Sequence, residues 1–195
     1  LKAFSTMHDK MLREFINDLS SMLRKIVDVK LYSIEQMTYG EFILSIPQIT
    51  SLNTLSIKPL EGRIVVECNP AISHKIIAEL LGSGAVNTSD NIDRELTEIE
   101  IEILEHFYKM FIKNLYKSWN DVSTLNFKIE SRDTNANAIQ IVSDHEIVLL
   151  VVLEITIDEE SGFLSICYPI SYFEPLLNKI VEKIFSEGRN RKTSR

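Results

Sequence analysis

One internal repeat constrains the fold of this chain more than any single motif does. The pattern of apolar and polar residues predicts a long helix, a strand, a connecting segment, a hairpin and a short helix over 5–82, and the same order again over 97–185. The closing hairpins also match, 62–70 with 162–169. Neither half is large enough to bury its helices and strands alone. We therefore expect one α/β domain with pseudo-two-fold symmetry, a three-layer α/β/α arrangement around one central mixed sheet built from both halves.

Local signals indicate where the helices begin and end. Asn69 followed by Pro70 is a good helix start, and Gly82 is a typical helix end. Thr97 with Glu100 three residues later forms a capping box, which predicts the start of a second long helix. The predicted helices are 5–26, 70–81, 97–119 and 171–185, with a short helix or turn between Gly40 and Pro47, and the predicted strands are 27–33, 52–58, 63–68, 123–131, 138–142, 147–157 and 162–168.

The charge of the chain excludes some classes of partner. With a net charge of -7 and a pI of about 5.2, the chain has no overall attraction for nucleic-acid phosphates or anionic lipid. The basic cluster 189–192 is interpreted as a solvated end or linker. The sequence has no apolar run of 18 residues, so no transmembrane helix is expected. The shorter apolar run 147–153 predicts a buried strand.

The residue types that carry catalysis or bind metals do not occur in suitable patterns. Cys68 and Cys167 are about 100 residues apart without a CxxC motif, which predicts two buried free thiols in a reducing cytoplasm. The histidines do not pair with Cys, Asp or Glu at metal-ligand spacing, and His74 and His106 are interpreted as surface residues. We expect no catalytic residue, no cofactor-binding residue and no metal ligand.

One pair of polar residues allows an alternative. Glu14 and Asn17 are three residues apart on the first long helix, so a carboxylate and an amide share one face. Such a pair could orient a water molecule for attack on an aspartyl-phosphate. The other interpretation is an ordinary solvated helix face.

Short segments along nearly the whole chain resemble the middle domain of the FliM family of flagellar motor switch proteins. The order and spacing of these segments carry the resemblance, which covers about Ser5 to Ile184. The matching segments are Leu19-Ser20-Ser21-Met22-Leu23-Arg24, Tyr39-Gly40-Glu41-Phe42 with Pro47, Leu60-Glu61-Gly62-Arg63, Leu80-Leu81-Gly82, Leu96-Thr97-Glu98-Ile99-Glu100, Asn137 to Val142, and Tyr168-Pro169 with Glu174-Pro175-Leu176.

The resemblance implies a fold, a location and partners. The fold would be the one that FliM shares with the CheC-type phosphatases acting on phosphorylated CheY. A FliM middle domain is a non-catalytic part of the cytoplasmic C-ring of the flagellar basal body, where it packs beside copies of itself and carries FliG. The family's FliG-binding loop is a GGxG motif after the short helix. In this chain that place reads Gly82, Ser83, Gly84 and Ala85, and Val86 follows directly.

The same resemblance weighs against catalysis. The related phosphatases carry a Glu and an Asn on each long helix. Alignment on the matching segments places Thr6 and Asp9 at these positions in the first half, and His106 and Lys109 in the second half. The pair formed by Glu14 and Asn17 is therefore out of register with the phosphatase motif.

Two functions follow as expectations. The first is a structural and signal-relay part of the flagellar switch complex that binds FliG and neighbouring FliM copies and so controls rotation direction in chemotaxis. The alternative is a CheC-type phosphatase acting on phosphorylated CheY through Glu14 and Asn17. Residues 1–185 would form the FliM middle domain and 186–195 a tail that starts the linker to a missing FliN-like domain. The first residue is Leu1, so we expect a fragment of a protein that binds FliN and phosphorylated CheY through its other parts.

Overall fold

The computed structural model describes residues 1–82 and 93–192, and these residues form five helices, one 3-10 turn and six strands. The helices are α1 (Lys2–Leu23), α2 (Tyr39–Ser45), α3 (Pro70–Leu80), α4 (Glu98–Asn120) and α5 (Ile170–Lys192), and the 3-10 turn is Ala136–Ala138. The strands are β1 (Val27–Thr38), β2 (Ile49–Lys58), β3 (Arg63–Cys68), β4 (Asn126–Asn135), β5 (Ile147–Ile157) and β6 (Glu160–Pro169). The predicted repeat of helix, strand, connection, hairpin and helix is confirmed.

All six strands belong to one sheet, and its order shows the pseudo-symmetry. The order is β1-β5-β6-β3-β2-β4. A two-fold axis between β6 and β3 exchanges β1 with β4, β5 with β2 and β6 with β3. Every pairing in the sheet is antiparallel. The prediction of a mixed sheet was wrong in this respect. Each half contributes a tight hairpin, whose two strands are antiparallel. The first strand of each half also pairs antiparallel with the hairpin of the other half.

The two halves of the chain exchange their first strands. Strand β1 pairs along its length with β5 of the second half, from Val27 opposite Ile157 to Thr38 opposite Ile147. Strand β4 pairs in the same way with β2 of the first half. The expectation of one continuous sheet made from both halves is therefore confirmed, and each half depends on the other for its sheet.

The main core lies between one face of the sheet and the four longer helices. Alternate residues of the central strands point into it, as the two-residue period of a strand requires. Phe15 of α1 is fully buried, with its ring 5.4 Å from that of Phe111 and 6.1 Å from that of Phe107, both on α4. This aromatic contact joins the two long helices over the sheet.

The opposite face of the sheet has a thinner cover, made of α2, the 3-10 turn and the segment that follows it. The Thr38 hydroxyl accepts a hydrogen bond from the Glu41 amide at 3.2 Å, and the Glu41 carboxylate accepts one from the Thr38 amide at 2.9 Å, which caps α2. Tyr39 and Phe42 are then buried against Ile139. The segment Tyr39 to Phe42 of the family resemblance is thus a helix start that builds this layer.

The strand predicted over 138–142 is absent, and this prediction was wrong. The Asn135 side chain accepts a hydrogen bond from the Asn137 amide at 2.9 Å, which favours a turn over an extended strand. Ile139 and Val142 after the turn are buried against α2. Their apolar character reflects this packing and not a place in the sheet.

A buried polar cluster connects α1, α4 and β6. His8 is fully buried, with Nδ1 2.7 Å from the Phe4 carbonyl oxygen and Nε2 2.8 Å from the Tyr168 hydroxyl oxygen. The Trp119 indole N–H donates to the same hydroxyl at 3.2 Å. Burial lowers the pKa of His8 from 6.5 to about 4, although the hydrogen bond to Phe4 acts in the opposite direction. His8 is therefore a neutral core residue at physiological pH.

The last helix is longer than the sequence indicated. Helix α5 was expected to end near residue 185, but it continues to Lys192, so part of the segment interpreted as a tail is helical. No helix in the described part of the chain combines the length and the apolar character needed to cross a membrane.

Candidate protein-binding site

Helix α3 positions the candidate loop, and its start is fixed by local contacts. The Asn69 side chain accepts a hydrogen bond from the Ala71 amide at 2.9 Å, and Pro70 occupies the first turn. Gly162 of β6 lies against this turn. A side chain would not fit there, since a Cβ atom at residue 162 would be 2.2 Å from Ile72 Cγ1. The glycine therefore allows the close approach of α3 to the sheet.

The end of α3 leads directly into the candidate loop. The Leu81 amide donates to the Ile77 carbonyl at 3.0 Å, and the Gly82 amide donates to the Glu79 carbonyl at 3.1 Å. Gly82 has a φ of +72°, a conformation that residues with a Cβ atom seldom adopt. Leu81 is 60% exposed. The chain thus leaves α3 at an exposed position with a left-handed glycine, as the sequence predicted.

The remaining loop residues of the prediction cannot be compared with the structure. Ser83, Gly84, Ala85 and Val86 lie outside the described residues. The chain is described again from Asp93, just before α4. Of the five predicted site residues, the structure therefore places Gly82 only.

Ion pairs hold the helix end from which the loop starts. The Glu79 carboxylate lies 3.1 Å from Lys75 Nζ and 3.7 Å from Lys25 Nζ. Lys25 and Lys75 also lie 3.6 and 4.0 Å from the Asp158 carboxylate, in the turn between β5 and β6. The last turn of α3 is thereby connected to the start of β1 and to the hairpin.

A second group of contacts holds the chain where it enters α4. Arg94 donates two hydrogen bonds to the Glu100 carboxylate, at 2.7 and 2.9 Å. The same carboxylate accepts from the Thr97 amide at 3.1 Å, and the Thr97 hydroxyl accepts from the Glu100 amide at 3.2 Å. Mainly through the hydrogen bond from Arg94, the pKa of Glu100 is lowered to about 2. The predicted capping box is confirmed, and its Glu also binds Arg94.

His74 lies between these two groups, and its interpretation as a surface residue was wrong. Its exposed fraction is 9%, because α3 packs against α4 and the sheet on several sides. His74 Nδ1 lies 3.9 Å from the Glu100 carboxylate. Burial, followed by the nearby Arg94, lowers the pKa of His74. His106 is exposed on α4, as predicted.

We expect the capping box at the start of α4 to contribute measurably to the stability of the domain. The Thr97→Ala variant should lose about 1 kcal/mol of unfolding free energy, because the Glu100 amide loses its acceptor. Urea unfolding followed by circular dichroism measures this loss. Thr6→Ala is the matched control, since Thr6 lies within α1 and bonds back to the Lys2 carbonyl, where Ala is at least as favourable. Equal stability of Thr97→Ala and wild type would contradict the role of this cap.

The residues considered for phosphatase chemistry lie on the helix surfaces. Glu14 and Asn17 are exposed on α1, and the Glu14 carboxylate forms an ion pair with Lys117 of α4. Asp9 is exposed and Thr6 half-buried on α1, and His106 and Lys109 are exposed on α4. Among the residues that the structure describes, no three His, Cys, Asp or Glu side chains are grouped so that they could hold a metal ion.

Sequence reasoning missed two buried ionisable residues. Glu67 of β3 is 2% exposed, in an otherwise apolar strand. His8 falls within the apolar face of α1, one residue after Met7 and four after Phe4. A polar residue within a buried stripe was the available signal in both cases. Arg94 was also missed, since its pairing with Glu100 depends on how the chain turns into α4.

The sequence of this chain is similar to those of known flagellar motor switch proteins. Residues 1–185 match the family model described as Flagellar motor switch protein FliM. A flagellar motor switch protein FliM of Treponema pallidum is 34% identical over 195 residues, which is 100% of this chain and 56% of that protein. The chain thus spans little more than half the length of this curated relative.

Two crystal structures from H. pylori are also similar. The FliM middle domain has a TM-score of 0.83 and 38% identity, with coverage of 91% of this chain and 96% of that chain. A FliG–FliM complex contains a chain with a TM-score of 0.87 and 39% identity, with coverage of 91% and 96%.

Proposed function

This chain belongs to the FliM family of flagellar motor switch proteins, and from this premise we propose that it binds FliG and neighbouring copies of itself in the flagellar switch complex. In that role it relays a signal that controls the direction of rotation in chemotaxis. The observation that carries the proposal is the similarity, over 91% of the chain, to a FliM chain in a FliG–FliM complex from H. pylori.

The FliG-binding site of this proposal is the loop formed by Gly82, Ser83, Gly84, Ala85 and Val86. One described feature supports it. The described residues on either side of the segment that contains the loop are held by ion pairs and hydrogen bonds, through Glu79 before it and Arg94 after it. A segment anchored on both sides loses less conformational freedom on binding than a free segment, which favours affinity.

The signal relay is proposed as a shift between arrangements of neighbouring copies. CheY bound elsewhere on the full protein would favour one packing of the domain, and the domain would pass that preference to FliG. The location that fits this role is the cytoplasmic side of the flagellar basal body.

The proposed role needs no catalysis. The Glu14 carboxylate is already paired with Lys117, and no described contact joins it to Asn17. A group that acts on a phosphorylated partner must approach the reacting atoms closely. No observation here favours the phosphatase alternative, and the addition of this domain to phosphorylated CheY should leave the rate of dephosphorylation unchanged.

The loop assignment can be tested by titration calorimetry with FliG from the same organism. We expect the Gly82→Val variant to bind at least tenfold more weakly than the wild type, because Val disfavours the left-handed backbone that directs the loop. A second variant, Ala85→Asp with Val86→Asp, changes the loop and leaves Gly82 intact. It should show a similar loss.

Gly188→Val is the matched control for this experiment. Gly188 lies within α5, and a Cβ atom there would meet no other atom within 4 Å, as at Gly82. This variant should bind FliG like the wild type. If both loop variants kept wild-type affinity while folded, the loop assignment would be wrong. If the wild type did not bind FliG, the proposed function itself would fail.

A further inference from the structure

A groove lies on the thinly covered face of the sheet, and the proposed function does not use it. Helix α2 and the segment after the 3-10 turn cover only part of this face. The remaining part, which we call the sheet groove, has a volume of 280 Å³ and crosses β1, β5, β6 and β3. Its lining residues are Tyr32, Ser33, Glu35, Met37, Ser45, Ile46, Pro47, Glu67, Asn69, Leu150, Val152, Phe163 and Ser165.

One side of the sheet groove has an aromatic wall. Tyr32 is 63% exposed and lies edge-on to Phe163, with 4.9 Å between the ring centroids. Tyr32 is also the residue at which the pairing of β1 with β5 shifts register, between Leu31 and Ser33. Ile46 and Pro47 add further apolar surface to the lining.

A buried carboxyl group forms part of the floor. Glu67 is 2% exposed, and its Oε1 accepts a hydrogen bond from the Thr50 hydroxyl at 2.5 Å. The Thr50 hydroxyl also lies 3.1 Å from the Cys68 carbonyl oxygen. Within the described part of the chain, the bond from Thr50 is the one hydrogen bond to the Glu67 carboxyl. Glu67 is also one of the residues that line the groove.

The charges of the lining are of one sign. Glu35 and Glu67 both line the groove, and no Lys, Arg or His is found among its described lining residues. A buried carboxylate without a cationic partner is costly, so a cation from outside would be favourable here. Arginine suits the site better than lysine, because a guanidinium is less strongly hydrated and offers several donors in one plane.

From this complementarity we propose that the sheet groove binds an arginine side chain presented by an extended segment of a partner protein, with the guanidinium at Glu67 and the alkyl stem along Tyr32 and Phe163. Ile46 and Pro47 belong to the apolar part of the lining, so the residues flanking the arginine can contact them. The length of α3 separates this groove from Gly82, so the site is distinct from the proposed FliG-binding loop.

The ionisation of Glu67 makes the proposal sensitive to pH. Burial raises the pKa of Glu67 to about 7, against the smaller effect of the Thr50 hydrogen bond. The other titratable groups near it are Glu35 in the lining and the buried Cys68 and Tyr108. The raised pKa values of Cys68 and Tyr108 keep both neutral below pH 8. A bound guanidinium requires the Glu67 carboxylate, so binding releases a proton.

The test uses the whole chain and three probes followed by NMR of the backbone amides. The probes are the pentapeptide Gly-Ser-Arg-Ser-Gly, the same peptide with norleucine in place of arginine, and butylguanidinium. We expect saturable shifts at Phe163 and Ser165 with the arginine peptide, at least fivefold tighter than with the other two. Affinity should rise about tenfold from pH 6 to pH 8, because Glu67 is deprotonated over that interval.

Two groove variants and one control variant complete the experiment. Glu67→Gln should abolish binding of the arginine peptide, and the matched control Glu98→Gln, an exposed Glu on α4, should bind like the wild type. Tyr32→Ser changes an exposed side chain and should weaken binding at least threefold. Equal binding of the norleucine peptide, or unchanged binding by Glu67→Gln, would overturn the proposal. Equal affinity for butylguanidinium would identify a small cation as the occupant and would also overturn it.

Discussion

The Phe15→Ala variant is expected to lose about 3–5 kcal/mol of unfolding free energy. Phe15 is fully buried on α1, and its ring contacts Phe107 and Phe111 of α4. The smaller side chain leaves a cavity at the contact between the two long helices, because the surrounding backbone can relax only in part. This loss is a large fraction of the total stability of an ordinary domain.

Urea unfolding monitored by circular dichroism measures the effect. Phe15→Leu should lose less than Phe15→Ala, because the smaller change in volume leaves a smaller cavity. Asn17→Ala on the exposed face of the same helix should remain within about 0.5 kcal/mol of the wild type. A Phe15→Ala variant as stable as Asn17→Ala would mean that α1 and α4 do not pack through this ring.

The second large effect concerns pH, where two buried groups act in opposite directions. The pKa of His8 is lowered from 6.5 to about 4, so the unfolded chain binds a proton in this window and the folded chain does not. Stability from this group falls by about 3 kcal/mol as the pH decreases through the window. The pKa of Glu67 is raised from 4.5 to about 7, so the folded chain binds the extra proton. Stability from Glu67 rises by about 3 kcal/mol as the pH falls from above 7 to below 4.5.

These two effects nearly offset each other in the wild type between pH 7 and pH 4.5, and single variants should separate them. In Glu67→Gln the effect of His8 is unopposed, so stability relative to wild type should fall on acidification. In His8→Gln the effect of Glu67 is unopposed, so stability relative to wild type should rise on acidification. Urea midpoints at pH 7.5, 6 and 5 measure both differences. Parallel pH profiles for all three proteins would contradict the assigned burial of His8 and Glu67.

The order of the helices and strands could be predicted, because short sequence signals mark where several helices begin and end. The capping box of Thr97 and Glu100, the start of α3 at Asn69 and its end at Gly82 depend on neighbouring residues, and all are present. The strand predicted over 138–142 failed for a non-local reason. Its apolar residues are buried by α2, about 100 positions earlier in the chain, and no local pattern reports such a contact.

Charged residues within the core were harder to predict from the sequence. His74 was taken as exposed because polar residues flank it, yet α3 is covered on more than one side. The antiparallel course of the whole sheet likewise depends on how the first strand of one half joins the hairpin of the other. For the site, the family resemblance supplied the position of the loop and local reasoning supplied only Gly82. The sheet groove could not be predicted from the sequence, because strands from both halves of the chain form it.

The exchange of first strands has a consequence for the synthesis of the protein on the ribosome. When β1 leaves the exit tunnel, its partner β5 has not emerged, since β5 follows more than a hundred residues later in the chain and Val27 pairs with Ile157. Until then the first half exposes an unpaired edge of β1. The apolar face of α1 is also exposed, because α4 does not yet cover it. The first half of the domain therefore cannot fold before the second half is synthesised. Because many contacts join residues that are distant in sequence, the folding of the complete domain is slow. Holdase chaperones that bind exposed apolar segments should therefore associate with this chain early in translation, and release it once β5 and β6 have emerged.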